Sequence, residues 1–113
     1  MAKDDYYVIV YKILAYLYVQ LKAGEDVDPK MIAHDGPLFK INERYWTYII
    51  VNMKDQMLID HVLTKRAGSG ETLIVDMDSV QITPIGIAYL CENHLMERAK
   101  RFLKDVKEIT PFI

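Results

Sequence analysis

Two short apolar runs oppose each other across a glycine-rich reversal. Met57-Leu58-Ile59 and Val62-Leu63-Thr64 lie on the outgoing side, Thr72 to Val75 on the return, and Lys65-Arg66-Ala67-Gly68-Ser69-Gly70-Glu71 between them. Runs this short, bounded by turn residues, read as a β-hairpin. A helical block precedes the hairpin, and Thr83-Pro84 opens another helix after it. That order is the winged helix-turn-helix arrangement. The expected fold is therefore α+β, mainly α, with a small antiparallel hairpin and a C-terminal amphipathic helix. Such a hairpin places an exposed loop beside a helix that can enter a groove of nucleic acid. The glycines do not make a phosphate cradle, because the Lys-Ser/Thr ending and following helix that such a loop requires are absent.

At 113 residues and 51% hydrophobic content, the chain holds apolar material for one core, so residues 1–113 read as a single domain. Its formal charge is -2. A domain gripping duplex DNA through phosphates usually carries a basic excess, so binding here requires a local basic patch or a second copy alongside. Cys91 is the single cysteine, which excludes an internal disulfide and fits a reducing compartment. The opening Met1-Ala2-Lys3-Asp4-Asp5 has no feature of a secretory signal, and a cytoplasmic location is expected.

From Tyr6 to Val19 only Lys12 interrupts a run of Val, Ile, Leu, Ala and Tyr, so this helix is apolar on every side and must be buried or shared. Asp4 is the expected cap at its start and Gly24 at its end. Lys12 in mid-run, and a length short of the roughly 20 apolar residues a bilayer requires, argue against a membrane span. Two accounts remain: a central core helix, or one whose tyrosines also line a homodimer seam. Asp28-Pro29 starts a short helix to about Ala33, Asp35-Gly36-Pro37 breaks it, and Leu38 to Ile41 reads as extended. Asn42 then caps a helix running to about Gln56, with Tyr45, Trp46, Ile49, Ile50 and Met53 on its core face. Arg44, Thr47, Tyr48, Val51, Lys54 and Asp55 gather on the opposite face, which in a helix-turn-helix meets base edges. Tyr48 and Val51 suit a protein partner as well, and a partly solvated face without a ligand is a third account.

Lys65 and Arg66 are expected at the hairpin tip, where a wing touches phosphate, though Glu71 offsets them and such charges also keep loops solvated. Asp76-Met77-Asp78-Ser79 lacks calcium-loop spacing and reads as a turn. Thr83-Pro84 begins a helix carrying Ile87 and Leu90, Gly86 admits another backbone at close range, and Asn93 marks a break. From His94 onward Leu95, Met96, Ala99, Phe102, Leu103, Val106 and Ile109 form one stripe opposite a charged face, and Thr110-Pro111 ends the helix. This helix is expected to meet the first one and build a homodimer interface with it. No catalysis, metal or cofactor is expected. His34, His61 and His94 are scattered, Cys91 and His94 lack a third ligand and read as a packed cysteine beside a surface histidine, and Asp60, Asp76 and Asp78 sit on or beside hairpin segments.

Several stretches resemble the YjcQ-like family: Asp4 through Tyr18, the Tyr45-Trp46 pair, Ile82-Thr83-Pro84-Ile85-Gly86-Ile87-Ala88-Tyr89-Leu90, and Phe102 through Ile109. The resemblance spans nearly the whole chain and is weakest over Ala33 to Ile41 and the hairpin. It implies a small winged-helix domain of phages and prophages of Gram-positive bacteria, with no established activity or cofactor. Together these readings give a non-enzymatic DNA-binding regulator acting through Asn42, Arg44, Thr47, Tyr48, Val51, Lys54, Lys65 and Arg66 on double-stranded DNA. The alternative is an interaction module that engages a phage or host protein through the same helix.

Overall fold

In the computed structural model, which describes residues 1–107, the apolar run forms one helix, α1 (Tyr6–Ala23). Every residue from Val8 to Leu17 is buried. No side of α1 is left to solvent over this stretch, because the helices Glu43–Asp55, Pro84–Glu92 and His94–Asp105 and the strand Gln81–Ile82 all pack around it. Tyr11 and Tyr16 are thus buried within their own chain, and the Tyr16 hydroxyl accepts a hydrogen bond from the Asp28 amide at 3.0 Å. Tyr6, Tyr7 and Tyr18, outside this stretch, remain half-buried. Lys12 is 2% exposed, and its Nζ donates to the Leu38 carbonyl at 2.9 Å, tying α1 to the 38–41 segment. No helix among the described residues is long and apolar enough to cross a membrane.

The start of α1 differs from expectation. Asp5 rather than Asp4 takes the cap position, and its carboxylate turns back to accept from the Ala2 amide at 2.8 Å instead of capping the helix. At the other end Gly24 adopts φ 69°, and the Glu25 amide reaches back to the Gln20 carbonyl, as expected of a glycine stop. Asp28-Pro29 yields one 3-10 turn, Pro29–Ile32, instead of a helix to Ala33. The chain doubles back at Gly36, which lies against the carbonyls of Lys30 and Ala33 and leaves no room to continue. Leu38 to Ile41 joins no sheet among the described residues.

Helix α2 (Glu43–Asp55) starts where Asn42 predicts, with the Asn42 carboxamide oxygen accepting from the Tyr45 amide at 2.8 Å. Asn42→Ala is expected to cost about 1 kcal/mol and to lower the midpoint of thermal unfolding by roughly 5 °C. Ile49, Ile50 and Met53 are fully buried. Tyr45 and Trp46 are half-buried, since each must reach a polar partner: the Trp46 indole donates to the Ile32 carbonyl and the Tyr45 hydroxyl to the Asp4 carbonyl, both at 2.8 Å. Met57, at φ 60°, ends α2 in the left-handed region, with the Leu58 amide bonded to the Met53 carbonyl.

Beyond that corner rises a two-stage antiparallel ribbon. At its base β1 (Ile59–Asp60) pairs with β4 (Gln81–Ile82), and above it β2 (Leu63–Arg66) pairs with β3 (Thr72–Asp76). The outgoing run is therefore two strands, interrupted at His61 with φ 62°. The returning side makes a turn over Met77 to Val80, closed by the Val80 amide on the Met77 carbonyl, as the sequence suggested. Lys65 and Arg66 are not at the tip. They pair with Leu73 and Thr72 inside the ladder, and the tip is Ala67 to Glu71. Backbone pairing extended past the apolar residues because a solvent-facing cation does not obstruct a ladder.

Helix α3 (Pro84–Glu92) begins with the Thr83 hydroxyl accepting from the Gly86 amide, and Gly86 packs directly on the Leu58 carbonyl. Asn93 ends α3 and caps α4 (His94–Asp105), whose Met96, Ala99 and Leu103 are fully buried. The first and last helices meet, as expected. Helix α4 stops at Asp105, earlier than the stripe implied, and Lys107 turns left-handed at φ 55°. Ile109 and Thr110-Pro111 lie outside the described residues. Cys91 and His94 are both exposed, so the expectation of a packed cysteine does not hold.

Candidate functional site

The α2 face expected to read DNA forms one wall of a groove instead of a free convex surface. Glu43, Arg44, Thr47, Tyr48, Val51 and Asn52 line one side, and Glu71, Thr72 and Leu73 of the ribbon line the other, around about 500 Å3. Strand register explains why the ribbon leans on the helix. Thr64 and Ile74 pair across the ladder and share its inner face, where both are half-buried. The Thr64 hydroxyl accepts from Lys54 Nζ at 3.2 Å, fastening that face to α2.

Arg44 Nη2 meets Glu71 Oε1 at 3.2 Å across one end of the groove. The two side chains are 89% and 59% exposed, so the pair contributes well under about 1 kcal/mol. Val51 and Thr47 are half-buried on the groove wall, while Tyr48 is 60% exposed. Past Tyr48 the surface continues into a second depression lined by Tyr6, Tyr7, Tyr48, Asn52, Gln56 and Tyr89. Tyr6 stands edge-on to Tyr7 and to Tyr48, with ring centroids 5.1 and 6.2 Å apart. Burial raises the hydroxyl pKa values of Tyr6 and Tyr89 above the ordinary tyrosine value; for Tyr6 the hydrogen bond from Gln56 partly opposes this. These tyrosines therefore present neutral hydroxyls beside amide groups.

The eight expected contact residues thus divide. Thr47, Tyr48 and Val51 come together in the groove, with Arg44 at its rim. The side chain of Asn42 is committed to the helix cap and Lys54 to Thr64. Lys65 stands on the outer side of the ribbon, paired with Leu73, and exposed Arg66 is paired with Thr72. Sequence reasoning missed Glu71, Thr72, Leu73 and Asn52 in the groove, and Tyr6, Tyr7, Gln56 and Tyr89 in the adjoining aromatic patch. Only the strand register identifies the first three, whereas the tyrosine-rich start of α1 was a visible signal read as a dimer seam. Along residues 42–78, Arg44, Lys54, Lys65 and Arg66 are outnumbered by Glu43, Asp55, Asp60, Glu71, Asp76 and Asp78. No group of three or more His, Cys, Asp or Glu side chains able to hold a metal occurs among the described residues.

A helical core carrying a helix and an adjoining antiparallel ribbon on one side is an α+β, mainly α, winged-helix-like protein. The chain belongs to the YjcQ protein family, whose sequence model matches residues 11–109. Comparison with curated proteins and with solved structures gives no match.

Proposed function

We propose that this chain is a non-catalytic binding module whose groove between α2 and the ribbon takes a short apolar segment of a protein partner. The observation that carries this reading is the groove itself. The helix face formed by Thr47, Tyr48 and Val51 opens toward Leu73 rather than away from the molecule, and Arg44, the cation best placed for a base edge, is engaged by Glu71. A helix entering the roughly 12 Å major groove of DNA needs an unobstructed face and a positive surround. Here the ribbon flanks the helix face and acidic residues outnumber cations along residues 42–78, which supports a protein ligand over DNA. Val51 and Leu73 offer apolar contact instead, and Tyr48 offers a large rim aromatic of the kind that anchors protein interfaces.

DNA binding by a regulator is the second reading, favoured by Lys65 and Arg66, which stand exposed on the ribbon and form no ion pair among the described residues. One experiment separates the two. A photo-crosslinking amino acid at Tyr48, in cells that carry this protein naturally, is expected to give one discrete adduct that survives nuclease and disappears with Val51→Asp. Purified protein is expected not to retain duplex DNA at low ionic strength. Duplex binding that weakens steeply with salt and falls on Arg44→Ala, without a protein adduct, overturns the groove reading in favour of DNA.

A further inference from the structure

We infer that the outer face of the ribbon is a self-complementary surface that pairs with the same face of a second copy of this chain. On that side of the ladder, register places Lys65 beside Leu73 and Leu63 beside Asp76, with Val75 as the extra residue where the register shifts. Cross-strand partners share a face, and residues two apart on a strand do so as well, so Leu63, Lys65, Leu73 and Asp76 lie together on the face opposite Thr64 and Ile74, with Leu73 at the edge that borders the groove. Exposure agrees: Leu63 is 59% exposed, Leu73 46% and Val75 61%, whereas Thr64, Thr72 and Ile74 on the inner face are half-buried. Three exposed aliphatic side chains on one short ribbon form a contiguous apolar patch rather than isolated surface residues.

The charges around that patch specify what covers it. Lys65 flanks it on the side of the tip and Asp76 on the side of the base. A strip running positive, apolar, negative matches itself when rotated by a two-fold axis through its middle. The axis sets apolar patch on apolar patch and brings Lys65 of each copy to Asp76 of the other. A partner of uniform charge fits only one end of the strip. Leu73 is shared, since it also borders the groove, so the pairing covers one edge of the groove and leaves its α2 wall of Thr47, Tyr48 and Val51 open. It also places the homodimer contact on the ribbon, away from the buried stretch of α1 and the core face of α4. One ribbon face is far smaller than the roughly 800 Å2 per partner of a standard stable interface, so the dimer is weak, with a dissociation constant in the micromolar range or above.

Sedimentation velocity on the full chain, as a concentration series through the micromolar range to about 1 mM in low salt, tests the proposal. The expected result is a monomer–dimer equilibrium. Lys65→Asp alone and Asp76→Lys alone each weaken it at least about tenfold through like-charge contacts, and the double exchange of the two charges restores it. Val75→Ser is expected to weaken the dimer too, with a circular dichroism melt unchanged because the side chain is 61% exposed and lies outside the groove. A monomer at every concentration overturns the proposal. So does a dimer indifferent to both single charge reversals, or one that the double exchange fails to restore.

Discussion

Replacing Gly86 with alanine is expected to destabilise the protein by about 3 kcal/mol and to lower its melting midpoint by roughly 10 to 15 °C. In an isolated helix the same change gains about 1 kcal/mol, since glycine is the poorer helix former. The sign reverses here because a Cβ at Gly86 would lie 2.1 Å from the Leu58 carbonyl oxygen and 2.8 Å from Ile82 Cγ1. A backbone oxygen cannot move aside as a flexible side chain does. Leu58 is also held in place, its carbonyl accepting from the Thr83 amide at 3.1 Å, while the Thr83 hydroxyl donates to the Met57 carbonyl. This junction sets where the ribbon leaves the helical body, so Gly86→Ala is expected to disturb the groove as well as the core. Thermal unfolding followed by circular dichroism checks the prediction, and a melt equal to or above that of the parent chain contradicts it.

An alanine scan along α1 is expected to show no helical period. Val8, Ile9 and Val10 point in three directions 100° apart, yet all are fully buried, as is Leu14. Leu14→Ala is expected to cost 2 to 5 kcal/mol, and alanine at Val8, Ile9 or Val10 more than about 1 kcal/mol each. In α4 the pattern oscillates. Met96 and Leu103 are fully buried while Arg98 and Lys104 are exposed, so alanine at either cation is expected to shift stability by no more than about 0.5 kcal/mol. Urea midpoints for the two sets of variants provide the test, and a tolerant face on α1 between Val8 and Leu17 sinks it.

Both predictions rest on features already legible in the residues. An uninterrupted apolar run has no solvent face to offer, and a glycine next to Thr-Pro at a helix start implies a close neighbour. Caps at Asn42 and Gly24, the core face of α2 and the break at Asn93 were legible for the same reason, since each is decided by local chemistry. What the sequence did not disclose depends on register and on long-range fit. Lys65 and Arg66 look like loop residues by polarity, but pairing places them in a strand. Glu71 looks like a diluting charge at the tip, but the lean of the ribbon brings it onto Arg44. For the tyrosines of α1 the residues left a core helix and a dimer seam both open, because a single chain's capacity to surround a helix cannot be judged from that helix alone. The candidate site was therefore half visible: its α2 wall could be read from helical spacing, while its ribbon wall required knowing which face of β3 turns inward.

A helix walled in on all sides by its own chain gives this molecule a solid centre and concentrates its adaptability at the rim. A centre packed this way resists local opening, so amide hydrogen exchange is expected to be slowest between Val8 and Leu17.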